Sequence, residues 1–318
     1  MRAVLRSSWR SSWRWLGGAL VLALVVREVG SGPVLEGLRA LDVRVLVAGV
    51  ALALVTTIAS AWRWTLVARE LGVALTLPRA VAACYRAQHL NTILPGGVLG
   101  DVHRGVVHGR STGETGRALR AVGWERFAGQ LVQALLAVVV LAVLPSPARP
   151  ALPWLVAAVA LVAVLAVVLL RRTPDRDAWW SRAARVVRDD VRLALLVRRS
   201  WPGVVLASVV ATAGYVATLV LAARAVGVDA PVATLLPLAL VVLVAAGLPL
   251  NLAGWGPREG TAAWAFAAAG LGASAGMATA VAYGAIVLVA NLPGLAVLAA
   301  GRRTTPAPDP VRGEPAHA

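Results

Sequence analysis

Two short stretches of this chain put polar and charged residues where the surrounding sequence is apolar. The first is YRAQHLNTILPGGVLGDVHRG, residues 85–105. It gathers Arg86, His89, Asn91, Asp101, His103 and Arg104 around Pro95, Gly96, Gly97 and Gly100. The second is LPLNLAGWGPREG, residues 248–260, in which Asn251 precedes a glycine- and proline-rich break and then the adjacent opposite charges Arg258 and Glu259. A third element is Trp124-Glu125-Arg126 at the start of an apolar run. Guanidinium groups match phosphate oxygens bidentately, so Arg86, Arg104 and Arg258 fit a phosphate-bearing ligand. Helix N-termini after a break would offer backbone N–H groups to the same anion. Asp101, Glu125 and Glu259 would orient the arginines, or hold a cationic group.

Proline and glycine end helices and free backbone polar groups. At membrane depth such backbone survives only where it is buried in protein or lines a polar cavity. The first stretch therefore reads as a re-entrant hairpin, against a plain cytoplasmic loop. Glu125 reads as the partner of Arg86 or Arg104, against an interfacial ion pair outside the lipid. The two breaks look like corresponding positions in two halves of the chain, an internal repeat or a chance likeness. Paired interrupted helices are a pointer to a substrate site. Trp62-Arg63-Trp64 reads as an interface belt with a snorkelling arginine.

Other chemistry finds little support. The chain carries no Gly-x-Ser-x-Gly elbow, phosphate loop or His-Glu-x-x-His. Asp101, His103 and His108 lack a fourth ligand for a metal, and His89 reads as a packed or capping residue. Cys84 is the one cysteine, so neither an intrachain disulfide nor a thiolate cage can form. No catalytic residue, metal or cofactor is assigned.

The elements that must position these residues are membrane helices. The 318 residues are 59% hydrophobic and 14% charged, with mean hydropathy +0.75. Soluble domains are about 45–50% apolar and about 25% charged. Uncharged runs cover Val45–Trp62, Phe127–Ala148, Ala151–Leu170, Trp201–Ala223 and Pro231–Pro257, and about 18 such residues suffice for a crossing. The net charge is +16, and every basic residue except histidine is arginine. Those arginines sit between the apolar runs, which topology explains and nucleic-acid binding does not.

The fold class is all-α, a polytopic membrane bundle of about eight transmembrane helices with one or two re-entrant or broken segments. Helices are expected near 14–30, 44–68, 121–144, 152–171, 203–225, 232–250, 259–271 and 275–300, with 79–95 too short to span. The first of these resembles a signal peptide but lacks a clean cleavage site, so it reads as retained. Residues 1–13 form a basic N-terminus, 14–301 the membrane domain, and 302–318 a disordered tail. Arginine placement puts both termini, the 101–120 loop and the 171–200 segment in the cytoplasm. The last of these is either a helix on the inner membrane surface or a plain linker.

At these residues the chain resembles the lysylphosphatidylglycerol synthase transmembrane region, the flippase-like domain proteins. That family's Asn, Leu-Pro-Gly break, Gly, acidic residue and Arg match Asn91, Leu94, Pro95, Gly96, Gly100, Asp101 and Arg104. Its acidic–arginine pair matches Glu125 and Arg126. Its Gly-x-Gly-x-Arg-Glu-Gly motif matches Gly254, Gly256, Arg258, Glu259 and Gly260, and Trp62-Arg63-Trp64 fits the end of its second helix. The likeness runs from about residue 15 to 300, with Asp101 where the family often has glutamate. The resemblance implies a substrate site of Arg86, Asn91, Pro95, Gly96, Gly100, Asp101, Arg104, Glu125, Arg126, Asn251, Arg258 and Glu259. It implies movement of a phospholipid or polyprenyl-linked glycolipid between leaflets of a bacterial plasma membrane. Without a soluble aminoacyl-transferase domain, aminoacyl-lipid synthesis is not expected. The partners implied are membrane lipids with an anionic or phosphate-bearing head group. The alternative is an accessory subunit or intramembrane enzyme working with a glycosyltransferase or lipid-modifying enzyme.

Overall fold

The computed structural model describes residues 32–94, 97–171, 179–192, 199–247 and 256–303. The expected first helix at 14–30, the basic N-terminus, the tail beyond 303 and the positions Pro95, Gly96, Asn251 and Gly254 lie outside them.

Within them the chain is a polytopic helical bundle. Its helices are α1 Gly32–Arg39, α2 Val43–Glu70, α3 Leu77–Ile93, α4 Leu99–Thr112, α5 Thr115–Val143, α6 Leu152–Arg171, α7 Trp179–Asp190, α8 Trp201–Ala225, α9 Val232–Ala246, α10 Pro257–Ala268, α11 Ala273–Ala290 and α12 Pro293–Arg303. Five stretches are long and apolar enough to cross a membrane: α2, α5, α6 with the turn before it, α8, and α11 running into α12.

The side-chain pattern of α2 is that of a lipid solvent. Val43, Val47, Val50, Leu54 and Ile58 form an exposed stripe, while Gly49, Thr56, Ser60, Arg63 and Val67 face inward. Both stripes follow helical spacing; the large apolar groups are outside because lipid, unlike water, does not expel them. Small inward residues let helices approach closely. A Cβ on Gly49 would strike Ile286, and one on Gly214 would strike Thr56. The described part of α6 has no fully buried residue; one half-buried side, with Leu155, packs toward the bundle beside α5, and the rest is available to lipid.

Several boundaries depart from expectation. The 101–120 segment is not a loop: it holds α4 and the first turns of α5, joined at Gly113, whose φ of 75° closes the end of α4. Helix α1 was not foreseen. The expected 275–300 crossing is interrupted at Asn291–Leu292, because Pro293 disfavours helical backbone in the residue before it. The apolar pair 232–250 and 259–271 was expected as two crossings. Helix α9 has 15 residues and α10 has 12, short of the roughly 20 a crossing needs. Their apolar contacts join Leu235 and Leu238 of α9 to Ala265 and Phe266 of α10, so they form an antiparallel hairpin. Exchanging two crossings for a hairpin leaves the parity of the topology unchanged.

Helices α3 and α4 form the equivalent hairpin in the first half, with Gly100 against Ala87 and Asn91. The packing partners repeat when α2, α3, α4 and α5 are exchanged for α8, α9, α10 and α11. Contacts α2–α3, α3–α4, α4–α5 and α2–α5 have counterparts in α8–α9, α9–α10, α10–α11 and α8–α11, and α2–α11 mirrors α5–α8. The central pair is α2–α8, and it is antiparallel: Thr56 meets Gly214, Arg63 meets Ser208, Leu66 meets Gly203, and Glu70 meets Ser200. The two halves are thus inverted relative to one another, the arrangement found in many transporter folds.

Candidate functional site

Three elements of the first half converge on a buried ionic chain. Glu125 of α5 is 2% exposed. Its Oε1 accepts from Arg63 Nε at 2.9 Å and Nη2 at 2.5 Å, and its Oε2 accepts from Arg104 Nη2 at 2.5 Å. Arg63 Nη1 also donates to Ser208 Oγ at 3.1 Å, so α8 joins the cluster. Arg104 Nε donates to Asp101 Oδ1 at 2.9 Å across one turn of α4, and the guanidinium lies 4.4 Å from the Trp64 ring centroid. The other oxygen of Asp101 accepts from Arg126 Nη1 and from Asn91 Nδ2, the latter at 2.6 Å. Charges therefore alternate along the line Arg63, Glu125, Arg104, Asp101, Arg126. Desolvation of such groups is offset only when each is paired and hydrogen-bonded, and each is.

Local sequence explains the seating. Asn91 Oδ1 accepts from Gly100 N at 2.7 Å, so one side chain clamps the end of α3 to the start of α4. That approach requires glycine, since a Cβ at 100 would collide with the Ala87 carbonyl. Gly129, one turn after Glu125 on α5, leaves room for the Arg63 guanidinium.

The second motif builds a smaller unit. Arg258 Nε donates to Glu259 Oε1 at 2.8 Å, and Glu259 Oε2 accepts from Gly256 N at 2.8 Å at the start of α10. Arg258 lies 5.3 Å from the Tyr283 ring centroid, with Gly284 beneath it.

Two cavities connect these units. A polar one of about 140 Å³ is lined by the first cluster together with Ser60, Gln88, Gln130, Gln133, Thr212 and Tyr215. A larger one of about 520 Å³ is lined mostly by apolar side chains of α1, α2 and α11, with Arg126 and Arg258 on its wall. Gln88, Asn91, Arg126 and Tyr215 line both. Thr92 and Gly97 at the first break, and Ala246 and Arg258 at the second, face the same larger space.

The expected residues fall out unevenly. Asn91, Asp101, Arg104, Glu125 and Arg126 line the polar cavity, and Gly100 abuts Asn91. Arg258 reaches the larger cavity and Glu259 holds it there. Arg86 lines neither cavity and is not the partner of Glu125; its Nε is buried without a hydrogen bond. Glu125 is no interfacial pair, because α5 begins ten residues before it. Arg63 was misread as a snorkelling interface residue. It is 8% exposed and turned inward to Glu125, whose carboxylate replaces water as its partner. Its signal was present: Thr56, Ser60 and Arg63 share one face of α2, as Glu125, Arg126, Gln130 and Gln133 cluster along α5.

Fold and site define a multi-pass membrane protein with an ionic cluster held between broken helices. Residues 11–294 match the model of the Lysylphosphatidylglycerol synthase TM region, and the chain belongs to that family. No curated protein and no solved structure matches it.

Proposed function

We propose that this protein moves a lipid with a phosphate-bearing head group between the leaflets of a bacterial plasma membrane, with both termini cytoplasmic. The observation that carries this reading is the position of Arg126, where a polar cavity meets a larger apolar one. A lipid needs both environments at once: charged hydrogen-bond donors for its head group, and a hydrocarbon-like wall for its chains. Membership of a lipid-associated membrane family supports the same reading. Arg126 and Arg258 would take the phosphate. Asp101 and Glu259 keep them oriented when no lipid is bound, and Asn91, Arg104 and Glu125 hold the frame. Such a role makes and breaks no covalent bond.

The test is lipid exchange in proteoliposomes of the purified chain, read by quenching of fluorescent phospholipid in the outer leaflet. Exchange faster than in protein-free liposomes, slowed at least about tenfold by Arg126→Ala, is the expected result. Equal rates with and without protein would overturn the reading.

A further inference from the structure

The charges around the two cavities do not cancel. Among the described residues four guanidinium groups, Arg63, Arg104, Arg126 and Arg258, stand against three carboxylates, Asp101, Glu125 and Glu259. One positive charge remains. In sequence, residues 95–96 and 248–255, which lie within the two breaks, carry no ionisable side chain. The excess falls at Arg126, which shares Asp101 with Arg104 and is 38% exposed where the two cavities meet, so the ligand that fits best brings a single negative charge to that point. A diphosphate overshoots, and a zwitterionic or aminoacylated head group leaves the excess standing or enlarges it.

The polar cavity carries a second, independent sign. Ser60 is 8% exposed, lines that cavity, and its hydroxyl is buried with no hydrogen-bond partner. Buried hydroxyls are normally satisfied, so this one awaits a donor or acceptor from a ligand. Gln88, Gln133 and Thr212 line the same space with neutral hydrogen-bonding groups. With about 10–15 Å³ needed per water-sized group, 140 Å³ admits something on the order of ten heavy atoms.

We infer that the ligand is a lipid phosphodiester whose head group ends in a small neutral polyol, glycerol or one hexose. Its phosphate lies at Arg126 and Arg258, its hydroxyls reach Ser60, and its chains follow Val34, Leu38 and Leu288 along the larger cavity. This assignment rests on the lipid reading above and narrows it by charge and by size.

Equilibrium binding of chain-labelled lipids to the purified full-length protein in detergent tests it, separately from exchange. The probes are phosphatidylglycerol, a polyprenyl phosphohexose, phosphatidylcholine, a polyprenyl diphosphohexose and lysylphosphatidylglycerol. One of the first two should bind at least about tenfold more tightly than the last three, and which one does identifies the polyol. Arg126→Gln should erase the preference over phosphatidylcholine, and Arg126→Lys should keep it. Ser60→Val should weaken the polyol lipid severalfold. Equal binding of phosphatidylcholine or the diphosphate by the native chain overturns the charge assignment. Unchanged binding by a folded Ser60→Val protein overturns the polyol seat. Lipid exchange without this selectivity sinks the present inference alone. Selective binding without exchange sinks only the translocation reading.

Discussion

Without the Glu125 carboxylate, Arg63 and Arg104 would face one another, both nearly fully buried. Leaving a buried charge without its partner costs about 3–5 kcal/mol. Glu125→Gln should therefore lower the melting temperature in detergent sharply. Arg126→Ala should cost no more than about 1 kcal/mol, because its side chain is 38% exposed and the pair is screened. The same thermal scan separates them: similar losses for both would mean that the cluster does not rest on Glu125. This contrast was not legible in the sequence, where the arginines looked interchangeable. Sequence spacing places Asp101 and Arg104 on one turn, but it cannot say which carboxylate three different helices share. Arg63 was hidden for a related reason. A Trp-Arg-Trp triplet has the composition of an interface belt, and only the arrival of α5 and α8 turns its arginine inward. Gly100 was better marked, as a glycine just past a break. Gly100→Val should separate α3 from α4 and raise protease sensitivity near residues 94–98, as read by limited proteolysis.

Helices whose apolar run alone decides their existence, α2, α6 and α8, were readable to within about two residues. Their solvent is lipid, and hydropathy measures that directly. The hairpins were harder. Helix α4 carries Asp101 and Arg104, so the feature that makes it matter also removes it from an apolar scan, whereas α10 is legible at 259–271 as an apolar segment but not as one arm of a hairpin. The antiparallel register of α2 and α8 is a tertiary fact with no local signature, and it can be tested directly. In a Cys84→Ser background, cysteines at Leu66 and Gly203 should be joined by a short thiol cross-linker. A pair at Leu66 and Ala222 should not. Cross-linking in the second pair instead would reverse the register and remove the inverted relation of the halves.

At the scale of the whole molecule, arginine distribution predicts an orientation, and the fold supplies a constraint on it. Asp190 at the end of α7 is 4% exposed; it accepts from Arg120 Nε at 2.7 Å and Trp124 Nε1 at 3.0 Å. That contact ties the basic 171–200 segment to the beginning of α5, so the two must share a side of the membrane. Cysteines at Arg149 and Asp229 should react with an impermeant maleimide on intact cells. Those at Arg110 and Asp189 should react only after lysis. Reaction of Asp189→Cys from outside would invert the assignment for α5 and α7 together, since Asp190 binds them.

The inverted halves have a consequence for energetics. If one half can swing its hairpin toward one face of the bilayer, its counterpart has a matching swing toward the other. The molecule then has two end states related by exchange of roles between halves. A ligand bound equally well in both would leave their ratio unchanged. On the proposed lipid-moving function, the direction of net flow would then be set by which leaflet holds more of the lipid.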